Sequence, residues 1–178
     1  MLSSLASTLG PLHLLTYSTL LGTEMYQTFV MTKVAHQELP RSAFTTLQKR
    51  LFPLYFRGQS LLVVLAAATV PPHGPISLFE EQKTWIPFAV AGLTSALNLL
   101  VYGPRTRQVM IDRIHQGTRE DLKARDMKGV SAEMRQLNQA FSRNHAMSIH
   151  LNLVTIRATL WYGWKLASML NFDITRLD

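Results

Sequence analysis

From Gln59 to Val70, and again from Trp85 to Gly103, the chain runs a helix-length distance without one charged residue. Such stretches are apolar around the whole circumference of a helix, whereas a helix on a soluble core alternates apolar and charged faces at a period of about 3.6. Crossing a hydrocarbon core of roughly 30 Å takes about 20 helical residues. Four blocks approach that length, at about 12–34, 54–70, 85–103 and 148–171. The first opens with Pro11, the second is stopped by Pro71, Pro72, Gly74 and Pro75, and the third ends before Pro104. In the third, Gly92 and Ala96 are spaced to let a neighbouring helix approach closely. The pattern predicts an all-α polytopic membrane protein: a single membrane domain over 1–178, with four transmembrane helices in an antiparallel bundle. A soluble helical bundle with long buried helices is the alternative.

Charge placement favours the membrane. The connection 35–53 and its edges carry Lys33, Arg41, Lys49, Arg50 and Arg57, while the turn between the second and third blocks has Lys83 with Glu80 and Glu81. The connection 104–147 holds Arg105, Arg107, Arg113, Arg119, Lys123, Arg125, Lys128, Arg135 and Arg143, so fourteen of the eighteen basic residues fall on alternate connections. Four crossings put these on one side, which the positive-inside rule makes the cytoplasm or the mitochondrial matrix. Phe52, Tyr55, Phe56 and Tyr102 then mark the basic boundary, and Trp85, Trp161, Tyr162 and Trp164 the opposite one. The basic connections are amphipathic: Phe44, Leu47 and Leu51 suggest a short surface helix before a Phe52-Pro53 break. Ser131 is a candidate N-cap for an early start to the fourth helix, and the third is expected to continue past a kink at Pro104.

Within the blocks, Gln27, Gln59, Asn98 and Asn152 lie at one depth from the basic side and are expected to form an intramembrane amide layer. Glu24 and Arg157 share a deeper level, as an ion-paired strut or the lining of an aqueous cavity. Arg157 and His150 fall on one face of the last helix and Asn152, Thr155 and Thr159 on another, so one rotation cannot aim both at the same neighbour. Thr16, Thr19, Thr23 and Gln27 form a stripe expected to face the bundle centre.

With no cysteine, disulfides, thiolate metal sites and cysteine nucleophiles are excluded. Haem in a helical bundle needs two imidazoles at one depth on facing helices. His13 and His150 sit at opposite ends of their helices and His36, His73, His115 and His145 in connections, so neither cofactor nor metal is expected. No catalytic motif is recognised, and Glu80-Glu81 and Glu120-Asp121 read as solvated turns. The net charge of +7 suits anionic lipid head groups better than nucleic acid, because the basic connections lack interleaved aromatics.

Several stretches carry a family resemblance: Met25, Thr28, Phe29 and Val30; Leu51-Phe52-Pro53-Leu54-Tyr55-Phe56; Asn98 followed by Pro104-Arg105-Thr106 and Met110; and Phe141, Arg143, His145, Ser148, Asn152 and Leu153. Together they resemble the transmembrane protein 205-like family, eukaryotic four-helix membrane proteins also catalogued as a domain of unknown function. The resemblance implies four membrane helices and a eukaryotic endomembrane or plasma membrane, with a mitochondrial membrane as the alternative. It implies no established reaction and no catalytic residue. The expected function is non-enzymatic support of small-solute transport or membrane traffic through a polar interior. The alternatives are a structural or adaptor subunit with a membrane protein partner or second copy, and a lipid-modifying enzyme using His145 or His150 beside a carboxylate.

Overall fold

Proline decides where the first long helix stops. Leu39 is extended (φ −98, ψ 140) because the ring of Pro40 disfavours helix in the residue before it, and Arg41 then starts a new helix whose first turn closes from Phe44 N–H to Pro40 O. The structure, a computed structural model, describes residues 2–80, 84–123 and 131–169. Among them are four long helices and no strand. Helix α1 joins Leu2–Met25, a π-helical turn Tyr26–Met31 and Thr32–Glu38, and α2 is Arg41–Ala68. Helix α3 joins Trp85–Leu97, a π-helical turn Asn98–Tyr102 and Gly103–Lys123, and α4 is Ala132–Met169. Helix α1 packs on α2 and α4, α2 on α3, and α3 along α4.

Several expected boundaries are corrected. The surface helix at Phe44, Leu47 and Leu51 is simply the start of α2, which runs through Pro53 without a break. Pro53 removes one backbone donor, but the flanking turns of a 28-residue helix hold it together. Helix α1 extends past both ends of 12–34, and α3 passes Pro104 as expected. The passage is eased by the π turn, in which Gly103 N–H reaches Asn98 O one residue further back than in an α-helix. A matching π turn in α1 lets Gln27 O accept both Thr32 N–H and Thr32 Oγ1. Ser131 does cap α4, its Oγ accepting from Met134 N–H while its hydroxyl donates to Glu120 Oε1. Glu120 is therefore no idle turn residue. Glu81, Lys83, Arg125, Lys128 and the expected helix end at Asn171 lie outside the described residues.

The distribution of polarity is inverted relative to a water-soluble fold. The largest completely buried side chains are His13, Gln59, Glu24, Asn98, Thr155 and Ser95, all polar. The outer surface carries Leu15, Leu54, Val64, Leu93, Leu100 and, most exposed, Phe79 at 77% and Trp164 at 82%. The small apolar core is Leu20, Val63, Ala91 and Ala158. Two helical spans, Arg41–Ala68 and Trp85–Glu120, are long and apolar enough to cross a membrane. Helix α1 falls short because inward-facing His13 and Glu24 lower its average, and α4 because Asn152 inside and His150 and Arg157 outside lower its own.

Candidate functional site

The buried face of α1 is His13, Tyr17, Leu20, Glu24 and Gln27, recurring at i, i+4, i+7, i+11 and i+14. This corrects the expected threonine stripe: Thr19 is exposed and its hydroxyl returns to Leu15 O at 2.8 Å, while Thr16 and Thr23 lie at the margin. A threonine in a helix can satisfy its own hydroxyl in this way, so it has no need to face a neighbour.

The centre of the assembly is a hydrogen-bonded network drawn from three helices. Gln59 Nε2 on α2 donates to Glu24 Oε1 on α1 at 2.9 Å, and lies 3.2 Å from Asn152 Oδ1 on α4. Tyr55 Oη donates to the same Asn152 oxygen at 2.8 Å, and Asn152 Nδ2 donates to Thr28 Oγ1 at 2.9 Å. Of the four amides placed at one depth, the structure thus brings Gln59 and Asn152 together. Asn98 Nδ2 donates to Ser148 O at 3.0 Å, fastening α3 to α4, and Gln27 Nε2 turns to Thr32 within its own helix. Both residues sit at π turns, Gln27 with its amide bonded inside its own helix and Asn98 with its amide bonded across to α4.

The expected Glu24–Arg157 strut is not formed. Glu24 is 0% exposed, whereas Arg157 and His150 lie on the outside of α4. Asn152, Thr155 and Thr159 occupy the inner face, as the rotation argument required. Glu24 Oε2, Gln59 Oε1 and Asn98 Oδ1 are buried without a hydrogen-bond partner among the described residues. The close-approach face of α3 is also corrected. Ala91, Thr94, Ser95 and Asn98 are buried and Thr94 Oγ1 meets Thr155 Oγ1 at 2.8 Å, whereas no atom comes within 4 Å of a Cβ built on Gly92.

At the opposite end sits a cluster with no counterpart in the sequence reading. Buried His13 has Nδ1 3.1 Å from Thr69 Oγ1 and Nε2 2.6 Å from Tyr162 Oη, joining α1, the end of α2 and α4. Tyr17 Oη donates to Thr159 O at 3.3 Å, lying so close to Gly163 that no side chain fits there. The spacing from His13 to Glu24 was the available signal, since it places both on one face of α1.

At the basic end the helices diverge around a cleft of about 1840 Å³. Its cations are Lys33, Arg41, Lys49, Arg50, Arg57, Arg107 and Arg113, and no Asp or Glu among the described residues lines it. Tyr55, Asn152 and Thr28 also line it, so the buried network begins at its floor. Of the residues that carry the sequence resemblance, Phe52, Pro53, Tyr55, Phe56, Pro104 and His145 line the cleft, and Asn98 does not. Phe52 stacks on Phe56 with ring centroids 5.8 Å apart, and Phe56 is so close to Gly103 that an added Cβ would approach its ring at 3.2 Å. Pro53 and Pro104 contribute to the wall. His145 stacks on Phe141 at 5.3 Å, and burial holds its imidazole below the usual range. Arg113 lies over the other side chain of that stack, 4.6 Å from the Phe141 ring. Arg143 is exposed and outside the cleft. Among the described residues no cluster of three or more His, Asp or Glu could hold a metal ion.

Fold and site together define an all-helical protein with a polar interior, an apolar outside and a basic cleft at one end. Residues 15–115 match the family described as Domain of unknown function (DUF4149), and the chain belongs to that family. It is 43% identical over 164 residues to Xanthocillin biosynthesis cluster protein D of Aspergillus fumigatus, covering 92% of each chain. No solved structure matches it. The family match takes in Glu24, Gln27, Gln59, Asn98 and the Phe52–Phe56 and Pro104 motifs, and stops before Asn152, Arg143 and His145.

Proposed function

We propose that this protein is a non-enzymatic integral membrane protein of four transmembrane helices. Its polar interior supports passage of small solutes or traffic of membrane cargo. One observation carries the reading: the largest buried side chains are polar while bulky apolar side chains cover the outside. Water would reward the opposite arrangement, whereas in hydrocarbon the polar groups must satisfy one another inside. A buried carboxyl group without a cation partner is costly in a membrane and marks a functional position. The Glu24–Gln59–Asn152 chain leads from that carboxyl group to the cleft floor. The basic end faces the cytoplasm, or the matrix in a mitochondrial membrane, with eukaryotic endomembrane or plasma membrane favoured. The motif likeness to the transmembrane protein 205-like family supports the same topology. The name of the Aspergillus relative sets that protein in a biosynthesis cluster, which suits a membrane accessory handling small molecules.

A structural or adaptor subunit is the second reading, favoured by the direct Thr94–Thr155 and Asn98–Ser148 bonds that knit α3 to α4 without a gap. Enzymatic action on lipid has no such support, as His150 Nδ1 turns to Ala146 O at 2.6 Å and His145 to an aromatic ring. Reconstitution into liposomes loaded with a panel of small fluorescent ions and neutral solutes separates the first two. Release of at least one solute, slowed several-fold by Glu24→Leu, supports passage. Retention of every solute by correctly inserted protein leaves the adaptor reading.

A further inference from the structure

The basic cleft has a composition that its own residues do not explain. None of its seven cations makes an ion pair among the described residues. Burial disfavours the charge of Arg113, and Arg41 lies close enough to disfavour it further. Like charges held together beside a cavity raise a potential that attracts anions. A second observation is independent of charge. Gln48, only 5% exposed, lines the same cleft two turns after Arg41, and both its Oε1 and Nε2 are buried without a partner among the described residues. Buried amides are ordinarily bonded, so a group of this kind facing a cavity indicates a polar ligand atom. The remaining surface is apolar: Phe44, Phe52, Leu99 and Met110 line the cleft between the cations. Leu54 and Ile149 line it too while standing on the exposed apolar exterior, so the cleft opens sideways onto that surface.

We propose that the cleft binds one lipid with a net-anionic phosphate head group, the head between Arg41 and Arg113 and within reach of Gln48, and its acyl chain leaving past Phe52 and Leu54. Planar guanidinium groups bind phosphate oxygens through paired hydrogen bonds, and an amide can supply one more donor. The apolar lining and the lateral mouth fit an acyl chain and leave a free anion or an acidic peptide without a partner for half the surface. The site deepens the membrane reading and rests on it for the identity of the head group.

Native mass spectrometry of the full chain released from non-ionic detergent tests this, with dioleoyl phosphatidic acid and dioleoyl phosphatidylcholine offered together. The wild type retains phosphatidic acid preferentially. Arg41→Gln with Arg113→Gln lowers that retention about tenfold or more, two charge-assisted contacts being lost. Arg105→Gln with Arg143→Gln removes the same charge outside the cleft and leaves it unchanged. Gln48→Leu lowers retention as well, and it is a conservative helix substitution should the double arginine variant fold poorly. Equal loss from both arginine pairs, equal retention of the two lipids, or displacement of phosphatidic acid by millimolar inorganic phosphate alone overturns the proposal. Each of these leaves the topology intact, whereas failure of the membrane reading appears as labelling of positions 73 and 119 from the same side.

Discussion

Gly163→Ala places a methyl group where the structure has a tyrosine hydroxyl. An ideal Cβ at 163 overlaps Tyr17 Oη and falls 2.8 Å from Tyr17 Cζ, so the ring must withdraw. Tyr17 cannot withdraw freely, because it packs edge-on against Tyr162 at 5.7 Å and donates to Thr159 O. Overpacking of this kind costs roughly 1–3 kcal/mol, and a buried hydroxyl that loses its partner costs about 1–3 kcal/mol more. Against this, alanine is favoured over glycine within a helix by about 1 kcal/mol. The net expectation is destabilisation by about 3 kcal/mol, which for a chain of this size lowers the melting midpoint by roughly 6–12 °C. Thermal unfolding in detergent, followed by far-UV circular dichroism, measures it. Adding Tyr17→Phe removes the closest clashing atom and recovers part of the loss, so the two substitutions are strongly non-additive. A Gly163→Ala protein as stable as the wild type, or more stable by the helix-propensity gain, would refute the placement of Tyr17 across α4.

Other perturbations probe the network and the helix junctions. Gln59→Leu strips Glu24 and Asn152 of a shared donor and should destabilise by about 2–3 kcal/mol in the same melt, with Glu24→Gln milder because an amide tolerates the site better than a carboxyl group. Thr155→Val breaks the Thr94–Thr155 bond and costs about 1 kcal/mol, and adding Thr94→Val to it changes little further. Ser131→Ala removes the N-cap of α4, a loss of about 1 kcal/mol read by the same method. Hydrogen bonds from Ser131 and Gln116 hold the Glu120 carboxyl group below its usual range. The stabilisation from that shift is present above the ordinary glutamate value and fades as pH falls through the lowered folded-state value. An NMR titration should show the Glu120 midpoint rising in Ser131→Ala.

Helical class and the position of most breaks follow from local chemistry, and so were legible from residue order. The Pro71–Pro75 stop, the Ser131 cap and the run of α3 through Pro104 depend only on neighbours in sequence. The choice between Pro40 and Pro53 as the break was not legible, since each is a proline able to stop a helix, and the chain beyond Pro53 continues as a helix packed on α1 and α3. Depth along the axis was readable from position, and of the four amides expected at one level Gln59 and Asn152 lie within 3.2 Å of each other. Rotation was less readable. The threonine stripe and the glutamate stripe of α1 are equally regular, and the backbone bond of Thr19 that resolves the choice is a three-dimensional fact. Gln27 and Asn98 lie in π turns and bond Thr32 and Ser148 instead of their expected partners, and no residue pattern announces a register change of that kind. The His13–Tyr162 contact joins residues 149 apart, beyond the reach of any local rule.

Single cysteines test the central claim most directly, because the native chain has none. In intact, oriented vesicles a membrane-impermeant thiol reagent should label His73→Cys from one side and Arg119→Cys only from the other. Asn152→Cys and Glu24→Cys should label from the Arg119 side alone if the network is wetted through the basic cleft. Labelling of positions 73 and 119 from the same side would contradict the four-crossing account. Opposite-side labelling with 24 and 152 protected would keep the topology and reduce the polar interior to a structural joint.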